Sequence, residues 1–439
     1  MIQHDARGEA LGTDQPASAA AYEEALALFN TLQLDPVVVL EPALAQDPDF
    51  IAGHLMMAGF LLSGIDGQLL PAARECLGRA AASRHRPTVR EKSLLAALRP
   101  WAEGDMGGAN RLLDRHLVDH PRDLFALQLT HMADLVLGRP AMLRDRIGRA
   151  LVHWQPGDAG YGYLLGMHAF GLEECNEYAR AERLGHRALA VDPQDTWAVH
   201  AVAHVYEMQG RVAEGIHWLT EETRHWEQNN ALAVHNHWHL ALMHLSNRDE
   251  ASALALYDRA IAPGPAAMAL DLVDASALLW RLGLRGVDVA GRFEALAARW
   301  QAQATWGWSV FNDTHAMLAL VGAGEASRIA QASAAIEAVP TGAPLPWWNE
   351  AGTLCDAVTA FGSGAYARCA QLLLPLLPIA HGFGGSQAQR SLIFLTAMEA
   401  ARRAGDSALY DALASEAAMR KPAWTGGTVE RRAQVLEVA

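Results

Sequence analysis

From about Ala21 onward the chain repeats one pattern. Aliphatic residues recur at three- and four-residue intervals, a short break follows at Gly, Asp-Pro or Asn, and the interval resumes. That spacing is the period of a helix with one buried face, and breaks of this composition end one helix and start the next. Strand signals are nearly absent. The best β-branched run, Val37-Val38-Val39-Leu40, continues into the helical pattern of 41–46. The spacing predicts helix pairs over 21–45, 50–83, 88–118, 123–152, 160–190, 195–226, 230–262, 268–301, 307–339, 347–379 and 385–420.

The pairs carry an internal repeat. Asp47-Pro48-Asp49-Phe50, His120-Pro121-Arg122-Asp123 and Asp192-Pro193-Gln194-Asp195 each close one helix with a proline and open the next with an aspartate cap. Proline cannot continue the preceding helix, and an Asp carboxylate accepts from the free N–H groups of a first turn. The three prolines lie 73 and 72 residues apart, close to two tetratricopeptide periods of roughly 34 residues each. The clearest unit places Trp197, Ala201 and Val205 on one helix, a break at Gly210, and Ala213, Ile216 and Leu219 on the next. The fold class expected is all-α: a tetratricopeptide-like α-α superhelix, or solenoid, of antiparallel helix pairs with a concave inner pocket. One such domain is expected over 21–439, after a flexible tail at 1–20. The Pro/Gly-rich stretch at 341–346 reads as an inter-helix connection.

Composition narrows the function. A chain of 439 residues exceeds what one compact core usually supports, so a repeat or several domains is required. With 51% hydrophobic and 19% charged residues, burial is extensive and general disorder is excluded. The net charge of −14 and pI near 5.7 argue against nucleic-acid and anionic-membrane partners, which call for clustered Lys and Arg; neither is expected. Cys76, Cys175, Cys355 and Cys369 are too dispersed for a disulfide framework or a CxxC pair and read as free thiols in a reducing cytoplasm. No apolar run reaches the ~20 residues of a membrane span, and the acidic start of the chain lacks the apolar segment of a signal peptide.

Histidine supplies the candidate chemistry. Eight of nineteen fall within 45 residues: His200, His204, His217, His225, His235, His237, His239 and His244. His200 and His204 share one helix face, as do His235 and His239, and Glu207 extends the first of these. More telling are offsets of one repeat: His168 to His204 is 36 residues, while His204 to His239, His239 to Asp274 and His200 to His235 are each 35. Residues one repeat apart occupy matching positions on neighbouring helices ~8–10 Å apart, so these side chains are expected to converge. Asp313, Glu350 and Gln387 continue the series with a drifting register. Trp238, between His237 and His239, is the tryptophan best placed to wall a ligand. Arg281 and Arg390 are candidate carboxylate clamps, and the helix start at Gly384-Gly385-Ser386 is a candidate anion site. Zinc ligands exist in the two HxxxH faces and Glu207, but HExxH is absent, and neither metal nor cofactor is expected.

Several of these segments, in the same order over most of 160–400, resemble the tetratricopeptide repeat protein 38 family. They are Gly171-Leu172-Glu173-Glu174, the run from Trp197 through His200 and His204 to Glu207-Met208, His235-Asn236-His237-Trp238-His239, Tyr257-Asp258, and the run from Leu270 through Asp274 and Trp280-Arg281 to Leu282. Phe311-Asn312-Asp313-Thr314-His315 and Gly384-Gly385-Ser386-Gln387-Ala388-Gln389-Arg390 complete the set. The resemblance implies an α-helical superhelix and no settled activity. It also implies His at 387 and an acid at 391, where this chain has Gln387 and Ser391.

The leading expectation is an inner His/Asp-rich pocket that binds, and in an enzyme version hydrolyses or otherwise transforms, a small polar molecule. There His204, His239, Asp313 and His315 would be catalytic, with a histidine as general base and an aspartate orienting it. His168, His200, Glu207, His235, Trp238, Asp274, Trp280, Arg281, Asn312, Gln387, Gln389 and Arg390 would bind the ligand, and a homo-oligomer is compatible. No P-loop, dinucleotide fingerprint or nucleophile elbow is present. The alternative is a scaffold that binds a peptide or protein partner in its concave groove. A third reading makes the histidines a buried network that only fixes the fold. A cavity of a few hundred Å³ would favour the small ligand.

Overall fold

The computed structural model describes residues 2–33, 35–221, 223–340 and 349–421. The fold class is all-α. Among the described residues there are twenty-three α-helices, and the strand content is one two-residue hairpin. The eleven anticipated pairs appear within a few residues of their expected limits, from Pro16–Thr31 with Pro36–Gln46 to Gln387–Ala404 with Ser407–Arg420. The run at 37–40 is helical, within Pro36–Gln46. The 341–346 stretch and the Trp347-Trp348 pair lie outside the described residues.

Helix starts follow local chemistry. Asp123 accepts from Ala126 N (3.1 Å) and Asp195 from Ala198 N (3.0 Å), as the repeat motif predicts. Asp49 departs from the motif. Its helix begins at Ile51 after an uncapped Phe50, and its carboxylate accepts instead from Arg84 N (2.8 Å) and Nε (3.0 Å). Gly210, at φ +70°, makes the expected break between Thr196–Met208 and Val212–Glu221, a conformation that costs glycine little.

The chain divides into two compact units. Among the described residues, the first comprises 2–202 and 224–233, and the second comprises 203–223, 234–340 and 349–421. In the first unit, consecutive helices pack in pairs and leave Phe125, Leu127, Leu129, Met167 and Phe170 fully buried between them. The segment near 230 returns to the first helix pair: Ala231 N donates to Leu32 O (2.7 Å), and Asn230 Nδ2 donates to Thr31 O and Thr196 Oγ1.

The expected flexible tail is corrected. Residues 3–4 and 10–11 pair as antiparallel strands, Gly12 N donates to the buried Glu91 (2.7 Å), and His120 bonds to Glu9 (2.9 Å). Of this segment's acids, Glu9 is the partner of His120, 111 residues on, and Asp5 is the partner of Arg7.

The first unit also holds a buried ionic network. Arg90 donates from Nε to Asp123 Oδ2 (2.6 Å) and from Nη2 to Asp123 Oδ1 (3.0 Å) and Tyr22 Oη (2.5 Å). His116 Nε2 bonds to the same Asp123 Oδ2 (2.9 Å). Burial would raise the Asp123 carboxyl, but Arg90 and His116 outweigh it and hold it far below the usual carboxylate range. Asp123→Ala removes a helix cap and strands Arg90 without its counter-charge. The expected loss is about 3–5 kcal/mol, read as a lowered urea midpoint; an unchanged midpoint would contradict the assigned role.

Candidate functional site

In the second unit, three helices carry the polar cluster. The remainder of Thr196–Met208 supplies His204 and Glu207, Ala233–Ser246 supplies His235, Trp238 and His239, and Ala269–Leu284 supplies Asp274 and Arg281. The one-repeat spacing brings His204, His239 and Asp274 into a single cluster, with Asp274 joined through His235. The cluster is threaded by hydrogen bonds. Lys421 Nζ donates to Glu207 Oε1 (2.7 Å), and His239 Nδ1 donates to Glu207 Oε2 (2.6 Å). His239 Nε2 lies 3.2 Å from His235 Nε2, and His235 Nδ1 donates to Asp274 (2.9 and 3.0 Å). The His204 ring centroid is 4.3 Å from that of His239, and Trp238 stacks on His235 at 5.2 Å. His204, His239 and Asp274 are all 0% exposed.

Electrostatics follow from burial. Burial pushes His239 down to about 3, and the neighbouring His204 adds to the effect against Glu207. Burial would raise Glu207, but Lys421 and the hydrogen bond from His239 hold it well below the usual carboxylate range. Burial lowers Arg281 to about 10 against the pull of Glu207 and Asp274.

Arg281 is committed internally, which bears on its expected role as a clamp. Its Nη1 donates to Ala277 O (3.1 Å) and its Nη2 to Ala388 O (2.9 Å) and Ser391 Oγ (3.2 Å), while its guanidinium lies 5.3 Å from the Trp238 ring centre. It ties Ala269–Leu284 to the start of Gln387–Ala404. Ser391, where the resemblance implies an acid, meets this arginine with a neutral hydroxyl.

The remaining candidates in this unit are placed more singly. Trp280 Nε1 donates to Thr396 Oγ1 (3.0 Å). Asp313 accepts from Gly307 N (2.9 Å), and His315 Nδ1 donates to Phe311 O (2.7 Å) beside Phe383. These bonds join neither Asp313 nor His315 to the His235–His239 chain. Asn312 sits in the first turn capped by Ser309 (3.4 Å). Gln387 is half-buried at a helix start, and Gln389 closes a capping box with Ser386. Arg390 bonds to Gly385 O. The Gly384-Gly385-Ser386 start is thus capped by its own side chains.

Two candidates belong to the first unit. His168 is half-buried, its ring lying against Gly148. His200 packs at 5.1 Å from Phe170 and 5.6 Å from Trp197. Glu173 and Glu174 are buried in the same unit.

Sequence reasoning missed Lys421, whose side chain is 2% exposed against Glu207. The available signal was rarity: it is one of two lysines in a chain rich in arginine. It also missed a recess of about 180 Å³ beside this ion pair. Leu242, Leu245, Leu284, Leu395 and Met398 supply its apolar lining, with Glu207, Arg281, Arg285, Glu399 and Lys421 among the polar groups. These charges are paired within the unit, Arg285 with Glu250 (2.9 Å) and Glu399 with Arg402 and Arg403 (2.7 Å each).

Stacked helix pairs in each unit put the chain in the tetratricopeptide-like class. No protein-family model matches it. Among solved structures, a human IFIT1 dimer with m7Gppp-AAAA matches over 97% of this chain and 96% of that one, at 12% identity and a TM-score of 0.39. The expectation of no nucleic-acid partner is withdrawn, because this neighbour was solved with a capped RNA; the likeness says nothing of what this chain binds. The small polar ligand named with it gains no support. Among the described residues, no helix is long and apolar enough to cross a membrane.

Two outcomes test these placements. Burial raises the Asp313 carboxyl to about 8, above the ~3.9 of an unfolded Asp. A raised folded value means that its contribution is present below the unfolded value and is lost as pH rises through about 8. Asp313→Asn should therefore gain on the wild type between pH 5 and pH 9, by at least the ~1.4 kcal/mol of one pKa unit, in urea melts; a flat difference refutes the burial effect. Lys421→Met leaves Glu207 buried without its cation and should cost about 3–5 kcal/mol. The same change at exposed Lys92 should stay within about 0.5 kcal/mol, and equal costs would contradict the placement.

Proposed function

We propose that this chain is a tetratricopeptide-like binding protein whose second unit receives a peptide or protein partner, with one large apolar side chain of that partner seated in the recess beside Lys421. The observation that carries this reading is the recess itself. Its volume, about 180 Å³, falls below the ~300–1,000 Å³ usual for small-molecule sites. Four leucines and Met398 supply its apolar wall, and its charged groups already have partners. Burying an apolar side chain there contributes about 1.5–3 kcal/mol without breaking an ion pair.

The small-molecule reading rests on the buried histidine chain, and full burial weighs against substrate access to His204 or His239. Membership of the tetratricopeptide repeat protein 38 family belongs to this proposal, supported by the motifs in the order given above. So does a cytoplasmic location, supported by the four free thiols.

Leu395 and Met398 are half-buried on the recess wall, so Leu395→Trp should fill it from within. Quantitative affinity purification of the wild type should retain one partner near stoichiometry. The Leu395→Trp protein, of unchanged helicity, should lose it at least tenfold. Equal retention by both proteins would defeat the reading.

A further inference from the structure

We propose that His204, His235 and His239 form a binding site for a divalent transition-metal ion of the zinc class. This reverses the expectation of no metal.

A carboxylate only accepts hydrogen bonds, so the nitrogen facing it must carry the proton. His239 Nδ1 faces Glu207 at 2.6 Å and His235 Nδ1 faces Asp274 at 2.9 Å. In both neutral rings the lone pair then lies on Nε2. Those two Nε2 atoms are turned toward each other at 3.2 Å. Two lone pairs at that distance repel, and a cation between them converts the repulsion into two bonds. A tetrahedral ion with metal–nitrogen bonds of ~2.0–2.1 Å sets its ligand nitrogens ~3.3–3.4 Å apart, which matches the separation observed.

The third ligand comes from the facing helix. A ring nitrogen of His204 lies within 4.8 Å of those of His235 and His239. Three imidazoles suffice for an ion whose fourth position is taken by a further donor, and an all-nitrogen set selects zinc, copper or nickel over magnesium or calcium. The outer contacts are those of a built site. Glu207 and Asp274 orient two of the ligands, as carboxylates commonly do for metal-bound histidines, and Trp238 stacks on His235 at 5.2 Å.

The test uses the full chain. Purified wild type should carry zinc at one ion per chain by elemental analysis. After removal with a chelator, added Co²⁺ should give the strong visible absorption of a four-coordinate site, and Zn²⁺ should abolish it by competition. H235Q and H239Q should each bind Co²⁺ at least tenfold more weakly, while H315Q, outside the trio, binds as the wild type does. Asp274→Asn, which keeps all three ligands, should weaken binding ~10–100-fold and serves where a ligand variant fails to fold. Wild type that holds no zinc and gives no Co²⁺ absorption overturns the proposal. So does binding that H235Q, H239Q and Asp274→Asn leave unchanged. Partner retention is a separate readout, so this site and the recess can fail independently.

Discussion

Repeat register is the constraint on which the second unit depends. A helix pair of about 35 residues sets each polar side chain opposite its equivalent one repeat on, and stacking removes both from water. A buried imidazole or carboxylate is tolerated only when hydrogen-bonded, because an unpaired buried group costs more than a made bond returns. His204, His239 and Asp274 are spaced by 35 residues each, so they arrive in one layer. Lys421 and His239 on Glu207, and His235 on Asp274, satisfy the carboxylates of that layer.

This layer also fixes neighbouring elements. Lys421, at the end of Ser407–Arg420, is held by Glu207, and Arg281 binds carbonyls at the start of Gln387–Ala404. Both cations bring late helices onto earlier ones. The first unit uses the same device with different residues, joining Tyr22, Arg90, His116 and Asp123 across four helices. Buried ionic pairs of this kind are weak sources of net stability, but breaking one is costly. They therefore act mainly on which helix faces meet.

The helix pairs were legible because periodicity, prolines and capping residues are local signals. The polar layer was legible because register turns sequence offset into spatial proximity. What escaped prediction depends on contacts the sequence does not index. The hairpin at residues 3–11 is held by Glu91 and His120, far along the chain, so its acids looked like solvated tail. Asp49 matched the cap motif but found Arg84 instead. Arg281 looked like a ligand clamp because its commitment to Ala388 O depends on a helix more than a hundred residues on. Lys421 carried no pattern at all beyond its rarity.

The central claim is that Glu207 and Asp274 set the tautomers of His239 and His235, so that both Nε2 lone pairs point inward. Long-range ¹H–¹⁵N correlation spectra of the metal-free protein, with histidine labelled and the two rings assigned by substitution, report which ring nitrogen carries the proton. The account predicts protonated Nδ1 and unprotonated Nε2 on both rings. A proton on Nε2 of either ring would contradict it.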